Sequence, residues 1–248
     1  MMRRLIAVAF IAATCSAGTA HAQSSTWTER GWFGISGGVQ PTANTFQDAF
    51  DLTLYTEPEH ITVDYPLKSG LIIAANGGYR VWKRLALGVG VSHHTDNSSS
   101  TVKASLPHPF FDKTFRNIEG TASGHRTETG VHLQVGWMLP LSSKFRLLLT
   151  AGPSVLSVDH RFVTNVTFAE SFPFDTAEFT GVTTTHDSRT ATGFNAGADL
   201  WWMFSKSVGA GALVQVTHAR ASLDAGNGRR VSVDAGGAQV GAGLRFAF

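Results

Sequence analysis

The chain has 248 residues, 20 Lys and Arg against 18 Asp and Glu, and a hydrophobic fraction of 43%. That length suits one all-β barrel domain, and the near balance of charge leaves no basic stripe for phosphate binding. The single cysteine, Cys15, lies in the first segment, so disulfide and thiol chemistry are excluded from the remainder.

Residues 1–22 read as a secretory signal: Arg3 and Arg4 give the positive start, Leu5 to Ala13 the apolar core, and Ala20-His21-Ala22 a small-residue cleavage site. The apolar run is far below the roughly 20 residues a membrane-spanning helix needs, so cleavage is expected before Gln23. A lipoprotein signal built on Cys15 is the rival. It fits poorly, because Ala12, Ala13 and Thr14 lack the usual Leu three residues ahead of the cysteine and a small Gly or Ala just before it. Without Arg3 and Arg4 the basic and acidic residues balance at 18 each. Residues 23–30 are expected as an N-terminal periplasmic segment and residues 31–248 as the barrel.

Period-two alternation dominates from there on. Leu85, Leu87, Val89 and Val91 share one face, with Ala86, Gly88, Gly90 and Ser92 opposite. Val131, Leu133, Val135, Trp137 and Leu139 alternate with His132, Gln134, Gly136 and Met138, and a similar pattern runs from Val208 to Thr217. The last strand places Val240, Ala242, Leu244, Phe246 and Phe248 on one face, and Gly241, Gly243, Arg245 and Ala247 on the other. Eight strands are predicted, at 31–40, 67–82, 85–96, 124–140, 145–160, 188–204, 208–222 and 230–248.

Their connections fall into two sets. Residues 82–84, 140–144 and 205–207 are tight turns, whereas 41–66, 97–123, 161–187 and 223–229 are longer and polar. Short periplasmic turns alternating with long outer loops predict an all-β, eight-stranded antiparallel transmembrane up-and-down β-barrel with both termini periplasmic. Trp32, Trp82, Trp137, Trp201 and Trp202 fall near the tight-turn side and are expected to form a periplasmic aromatic girdle, joined by Phe145, Phe204, Phe246 and Phe248. A soluble β-sandwich or lipocalin-like barrel would also bury aromatics, but its outer faces should carry charge at alternate positions, and Leu85 to Ser92 carries none.

The face opposite the aliphatic one is mostly small, as a narrow lumen filled by side chains requires. Parity also puts Arg80, Arg146, Asp199 and Arg245 inside, and buried charge needs partners. A lumen charge network centred on Asp199 is expected, as a stiffening plug in preference to a gated ion path.

Ser92, His93, His94 and Asp96 are the residues that could suggest a hydrolase. Adjacent strand residues face opposite ways, so His93 follows the lipid side, His94 the lumen, and no common site forms. An outer-membrane lipid A deacylase carries a His-x-Ser-Asn signature, from which this stretch departs, since Thr95 and Asp96 stand where the serine should be. The spacings of His93, His94, His108 and His125 match no metal pattern. No catalytic residue, metal or cofactor is predicted. The segments from Leu106 to Phe111 and from Glu170 to Phe174 place aromatics beside prolines, and these are expected to pack together and roof the barrel.

The signal, the eight alternating strands, the Gly77-Gly78-Tyr79-Arg80 motif and the terminal Leu244 to Phe248 resemble the outer-membrane β-barrel domain family of small porin-like and opacity-type bacterial proteins, over nearly all of residues 30–248. The resemblance implies that Phe246 and Phe248 form the barrel-assembly signal. It implies residence in the outer membrane of a Gram-negative bacterium, with outer-membrane lipid and lipopolysaccharide, the barrel-assembly machinery and periplasmic chaperones as partners. Nucleic acid is not a partner, the surface-loop partner is unspecified, and a monomer is expected. The role expected is structural or surface-interacting; a small-solute conduit is the alternative, and a lipid-modifying outer-membrane enzyme a weaker one.

Overall fold

The alternating segments pair as continuous antiparallel ladders in a computed structural model that describes residues 28–41 and 44–248. The expected signal peptide and most of the 23–30 segment lie outside the described residues. Eight strands form a closed barrel: β1 (Gly31–Gln40), β4 (Gly70–Trp82), β5 (Leu85–Asp96), β8 (Arg126–Pro140), β9 (Phe145–Glu170), β10 (Ala177–Met203), β11 (Val208–Gly226) and β12 (Arg229–Ala247). Their order is β1-β12-β11-β10-β9-β8-β5-β4, and β4 pairs back onto β1 from Gly31↔Tyr79 to Gln40↔Gly70. The terminal strand seals the ring through Trp32↔Ala247 to Val39↔Val240, and the Phe248 carbonyl accepts from the Gly31 amide at 2.8 Å.

Four further strands were not anticipated. β2 (Asn44–Leu54), β3 (Glu57–Leu67), β6 (Ser99–Pro107) and β7 (Phe115–Ser123) form a separate sheet in the order β2-β3-β6-β7. The stretches 41–66 and 97–123, expected as polar loops, are therefore mostly strand, and 161–187 and 223–229 mostly prolong β9 to β12 into two long hairpins. The reason is alternation with partners on one side only. Ile61, Val63 and Tyr65 of β3 and Val102, Ala104 and Leu106 of β6 are buried, while Thr62, Asp64, Lys103 and Ser105 between them lie on the more open face.

This sheet faces the upper parts of β9 to β12 across a common apolar core that includes Phe50, Ile61, Leu106, Ile118, Phe162, Val166, Leu223 and Val233. Full burial of each large apolar side chain contributes roughly 1.5–3 kcal/mol. The excursions thus form a head with its own core on top of the barrel.

The barrel itself is inverted in polarity. Leu71, Ile73, Leu87, Val89, Leu133, Val135, Val214 and Leu244 are 49–76% exposed, with their small or polar neighbours turned inward. From Phe204 up to Phe194 is about ten residues of strand, which at about 3.3 Å each and a tilt near 40° gives about 25 Å of height, the thickness of a membrane-barrel belt. At its tight-turn rim stand Trp82, Trp137, Trp202, Tyr79, Phe145, Phe204 and Phe248, all exposed. The expected girdle needs a correction: Trp32 and Trp201 are 3% and 0% exposed and point into the barrel with Met138, Leu148 and Met203. Trp201 and Trp202 are neighbours on one strand, so only one can face out, and Phe33 takes the outward place beside Trp32.

Candidate functional site

The lumen is filled from the tight-turn end upward. Above the apolar layer of Trp32 and Trp201, Arg245 is completely buried and donates through Nε and Nη2 to the two Asp199 carboxylate oxygens at 2.7 and 2.9 Å. Its Nη1 donates to the Leu244 carbonyl at 2.9 Å and the Ile35 carbonyl at 3.2 Å. Gly211 and Gly34 leave room for it: a Cβ at Gly211 would lie 2.6 Å from Arg245 Nε, and one at Gly34 would lie 2.9 Å from Arg245 Cδ.

The other two arginines of the expected network do something else. Arg146 pairs with Glu29 at 2.7 Å, and Arg80 Nη2 donates to the Thr28 carbonyl at 3.1 Å, so both hold the N-terminal segment across the barrel foot. Parity along a strand carries no information about height, and height is what separates the Arg245 and Asp199 pair from Arg80 and Arg146.

Further up, His132 bridges Ser92 (2.9 Å) and Ser154 (2.8 Å), and Asn195 donates to Ser154 Oγ at 2.9 Å. This is a serine–histidine contact, but the second ring nitrogen meets a serine hydroxyl and no carboxylate orients the ring. The adjoining cavity of about 10 Å³ has room for about one water. The arrangement therefore reads as packed polar interior. His93 points outward to Thr129 at 3.0 Å, and His94 points inward to the Leu71 carbonyl at 3.3 Å, so the adjacent histidines diverge as expected. His125 bonds Asn97 at 2.7 Å, and His108 lies at the far end of the head.

Between plug and head is a chamber of about 460 Å³ lined by Gln40, Lys68, His94, Asp96, Arg126, Glu128, Gly236 and Gly237 among others. Arg126 donates to Glu128 at 2.8 Å and to the Asp234 carbonyl at 2.7 Å, and Glu128 accepts the Gly236 amide at 2.8 Å. In the wall there Gly236 and Gly237 take φ of 83° and 146°, a backbone that favours glycine. The Arg126 and Glu128 pair was not singled out from sequence, although opposite charges two apart on one strand share a face.

On the head side of the chamber, His160 is enclosed by the rings of Phe46, Tyr65 and Phe162 at 5.3, 5.1 and 4.6 Å. Neither ring nitrogen has a hydrogen-bond partner among the described residues. Burial, reinforced by the Arg126 charge, pushes this imidazole down to about 3.

The outermost feature is where three hairpin turns meet. Arg116 of β7, 5% exposed, forms an ion pair with Glu170 of β9 and donates to the carbonyls of Pro107 (2.9 Å) and Phe174 (3.1 Å). Glu170 also accepts the Tyr55 hydroxyl from the β2–β3 turn. Burial alone would raise the Glu170 carboxyl, but these two hydrogen bonds together hold it below its ordinary value.

Around this hub Phe110, Phe111 and Phe172 are 69%, 60% and 84% exposed. Phe174 ties them together, 5.5 Å from Phe110 and 6.1 Å from Phe172 between ring centroids. These aromatics pack on one another as expected, but they do not roof the barrel, because the head lies between them and the lumen.

No family model matches the chain, and no curated protein matches it. Among solved structures it is similar to the outer membrane protein OprG of Pseudomonas aeruginosa, at 12% identity and TM-score 0.46 over 89% of this chain and 97% of that one. It is also similar to Neisserial surface protein A, at 11% identity and TM-score 0.45 over 88% and 96%. The outer membrane protease OmpT of Escherichia coli matches at 11% identity and TM-score 0.46 over 90% and 98%. Likenesses at that level carry no weight beside the chain's own strand pairing. The closed antiparallel ring with an apolar belt outside and a polar interior gives the chain, on its own strand pairing and burial, the architecture of a membrane-embedded β-barrel.

Proposed function

We propose that this chain is an integral outer-membrane protein whose sealed eight-stranded barrel anchors a rigid head at the bacterial surface, and that the head works by contact. The observation that supports this best is the convergence of three turns on the Arg116 and Glu170 hub, which presents exposed phenylalanines at the end farthest from the aromatic rim. Exposed apolar residues gathered into one patch mark interaction surfaces. In this reading Phe246 and Phe248 serve as the assembly signal, the belt contacts lipid and lipopolysaccharide, and both termini are periplasmic.

A second reading, entry of a small polar solute, is favoured by the chamber of about 460 Å³, but the plug of Arg245, Asp199, Trp32 and Trp201 stands between it and the periplasmic end. Two measurements separate the readings. With Cys15 removed by cleavage, a Phe172→Cys variant carries one thiol, and a membrane-impermeant maleimide should label it on intact cells. Reconstituted protein should show no steady conductance in planar bilayers. Steady openings that change with Asp199→Asn would replace the contact reading by the conduit, and a thiol labelled only after lysis would refute the surface head.

A further inference from the structure

Resting on the surface-contact reading, we propose that the aromatic tip docks on lipid: Phe110, Phe111 and Phe172 insert into the headgroup boundary of a zwitterionic phospholipid bilayer belonging to an opposing membrane. Four features of the tip lead there. The first is placement. Tyr55, Phe174 and Pro107 are drawn together by Arg116 and Glu170 at the end of the β9–β10 hairpin opposite Trp82, Trp137 and Trp202, so a bilayer met by the tip is not the one that holds the barrel.

The second is ring chemistry. Phenylalanine brings apolar area without a donor or acceptor, which suits a receiving medium that offers no directed bonds. Protein hot spots concentrate Trp, Tyr and Arg, whereas interfacial membrane contacts use rings such as Phe and Trp.

The third is charge. Beside the rings stand Asp112, Asp175 and the half-buried Glu57 against a single Lys113, and the Arg116 charge is buried against Glu170. Recognition of an anionic bilayer takes clusters of Lys and Arg, and the small excess of acid here repels one, so among bilayers the tip suits one of zwitterionic lipid, without net charge and with its cationic headgroup ends outermost.

The fourth is rigidity. The Phe110 and Phe111 amides both donate to His108 Nδ1, at 3.1 and 3.2 Å, and the Lys113 amide donates to Glu57 at 3.0 Å. The backbone that presents Phe110 and Phe111 is therefore held before contact, and Phe172 rests against Phe174 at 6.1 Å, which lowers the ordering cost of docking.

The test uses the full mature chain in nanodiscs, mixed with protein-free phosphatidylcholine vesicles and floated on a density gradient. Nanodiscs carrying the protein should rise with the vesicles, and raising the salt to about 0.5 M should not release them, since the attraction is not between charges. A Phe110→Asp/Phe172→Asp variant should lose about tenfold or more of the floated fraction. A Phe110→Trp/Phe172→Trp variant should retain it and shift its emission to the blue on vesicle addition. Both variants should keep the heat-dependent gel mobility of a folded barrel, which separates lost docking from lost folding.

The inference is overturned if the wild type stays unfloated, if the aspartate variant floats equally, or if flotation requires anionic lipid. Clustering of nanodiscs without vesicles would assign the tip to a second copy, and capture only by protein-coated vesicles would assign it to a protein, each against the proposal. Surface labelling of Phe172→Cys with failed flotation would leave the surface-contact reading standing and remove this inference alone.

Discussion

Arg245 carries its charge where no water reaches, and Asp199 makes that tolerable by offering two oxygens to two of its nitrogens. Asp199→Asn or Asp199→Ala should destabilise the barrel by about 3–5 kcal/mol, because the guanidinium left behind is buried and unpaired. Removing both charges as Asp199→Leu/Arg245→Met should cost less than either single change. Urea unfolding in micelles, followed by tryptophan emission, checks this; a single variant as stable as wild type would contradict it.

His160 makes the opposite kind of statement, since it is buried neutral. Its ordinary value is 6.5 and its folded value about 3, so between these the unfolded chain binds a proton that the folded head refuses. Stability is therefore lost as pH falls through that window. A His160→Phe variant should flatten the loss between about pH 7 and about pH 4, compared by denaturant unfolding, because it keeps the contact with Phe46, Tyr65 and Phe162 and discards the titration. An equal loss in both proteins would show that other groups carry the acid sensitivity.

At the level of elements, the head changes what surface accessibility means. Segment 41–66 is acidic, 97–123 is rich in Ser and Thr, and both contain prolines, which makes them loop-like on composition alone, yet β2, β3, β6 and β7 are paired over nearly their whole length. Backbone locked in a ladder on an apolar core does not enter a protease. On intact cells, cleavage should therefore concentrate in the turns at 108–114 and 171–176 and spare Asn44–Leu54 and Glu57–Leu67, as mass spectrometry of the released peptides would show. Early cuts inside β2 or β3 would mean the sheet is open at the surface.

The same elements show why the upper strands escaped notice. In β3 and β6 the alternation is legible, as in Ile61, Val63 and Tyr65, but short strands in polar, proline-bearing sequence resemble loops until a facing layer is known. In the upper half of β10, from Ala177 to Ser188, neither face is consistently apolar, and only pairing with β9 makes it a strand.

Seen whole, the molecule is a plugged ring below and a cored head above, with a polar chamber at the junction and an aromatic tip at the far end. The period-two alternation of the membrane-level strands, and with it which residues along each of them share a face, was determined by sequence alone. Alternation is a local property, and each residue states its own face relative to its neighbours. Tertiary structure alone decided that Trp32 and Trp201 seal the foot, that Arg80 and Arg146 hold Thr28 and Glu29 while Asp199 takes Arg245, and that Arg116 and Glu170 draw three distant turns into one tip. Those facts depend on height along the axis and on which strands stand opposite one another. Both are set by register and closure of the whole ring, which no local period encodes.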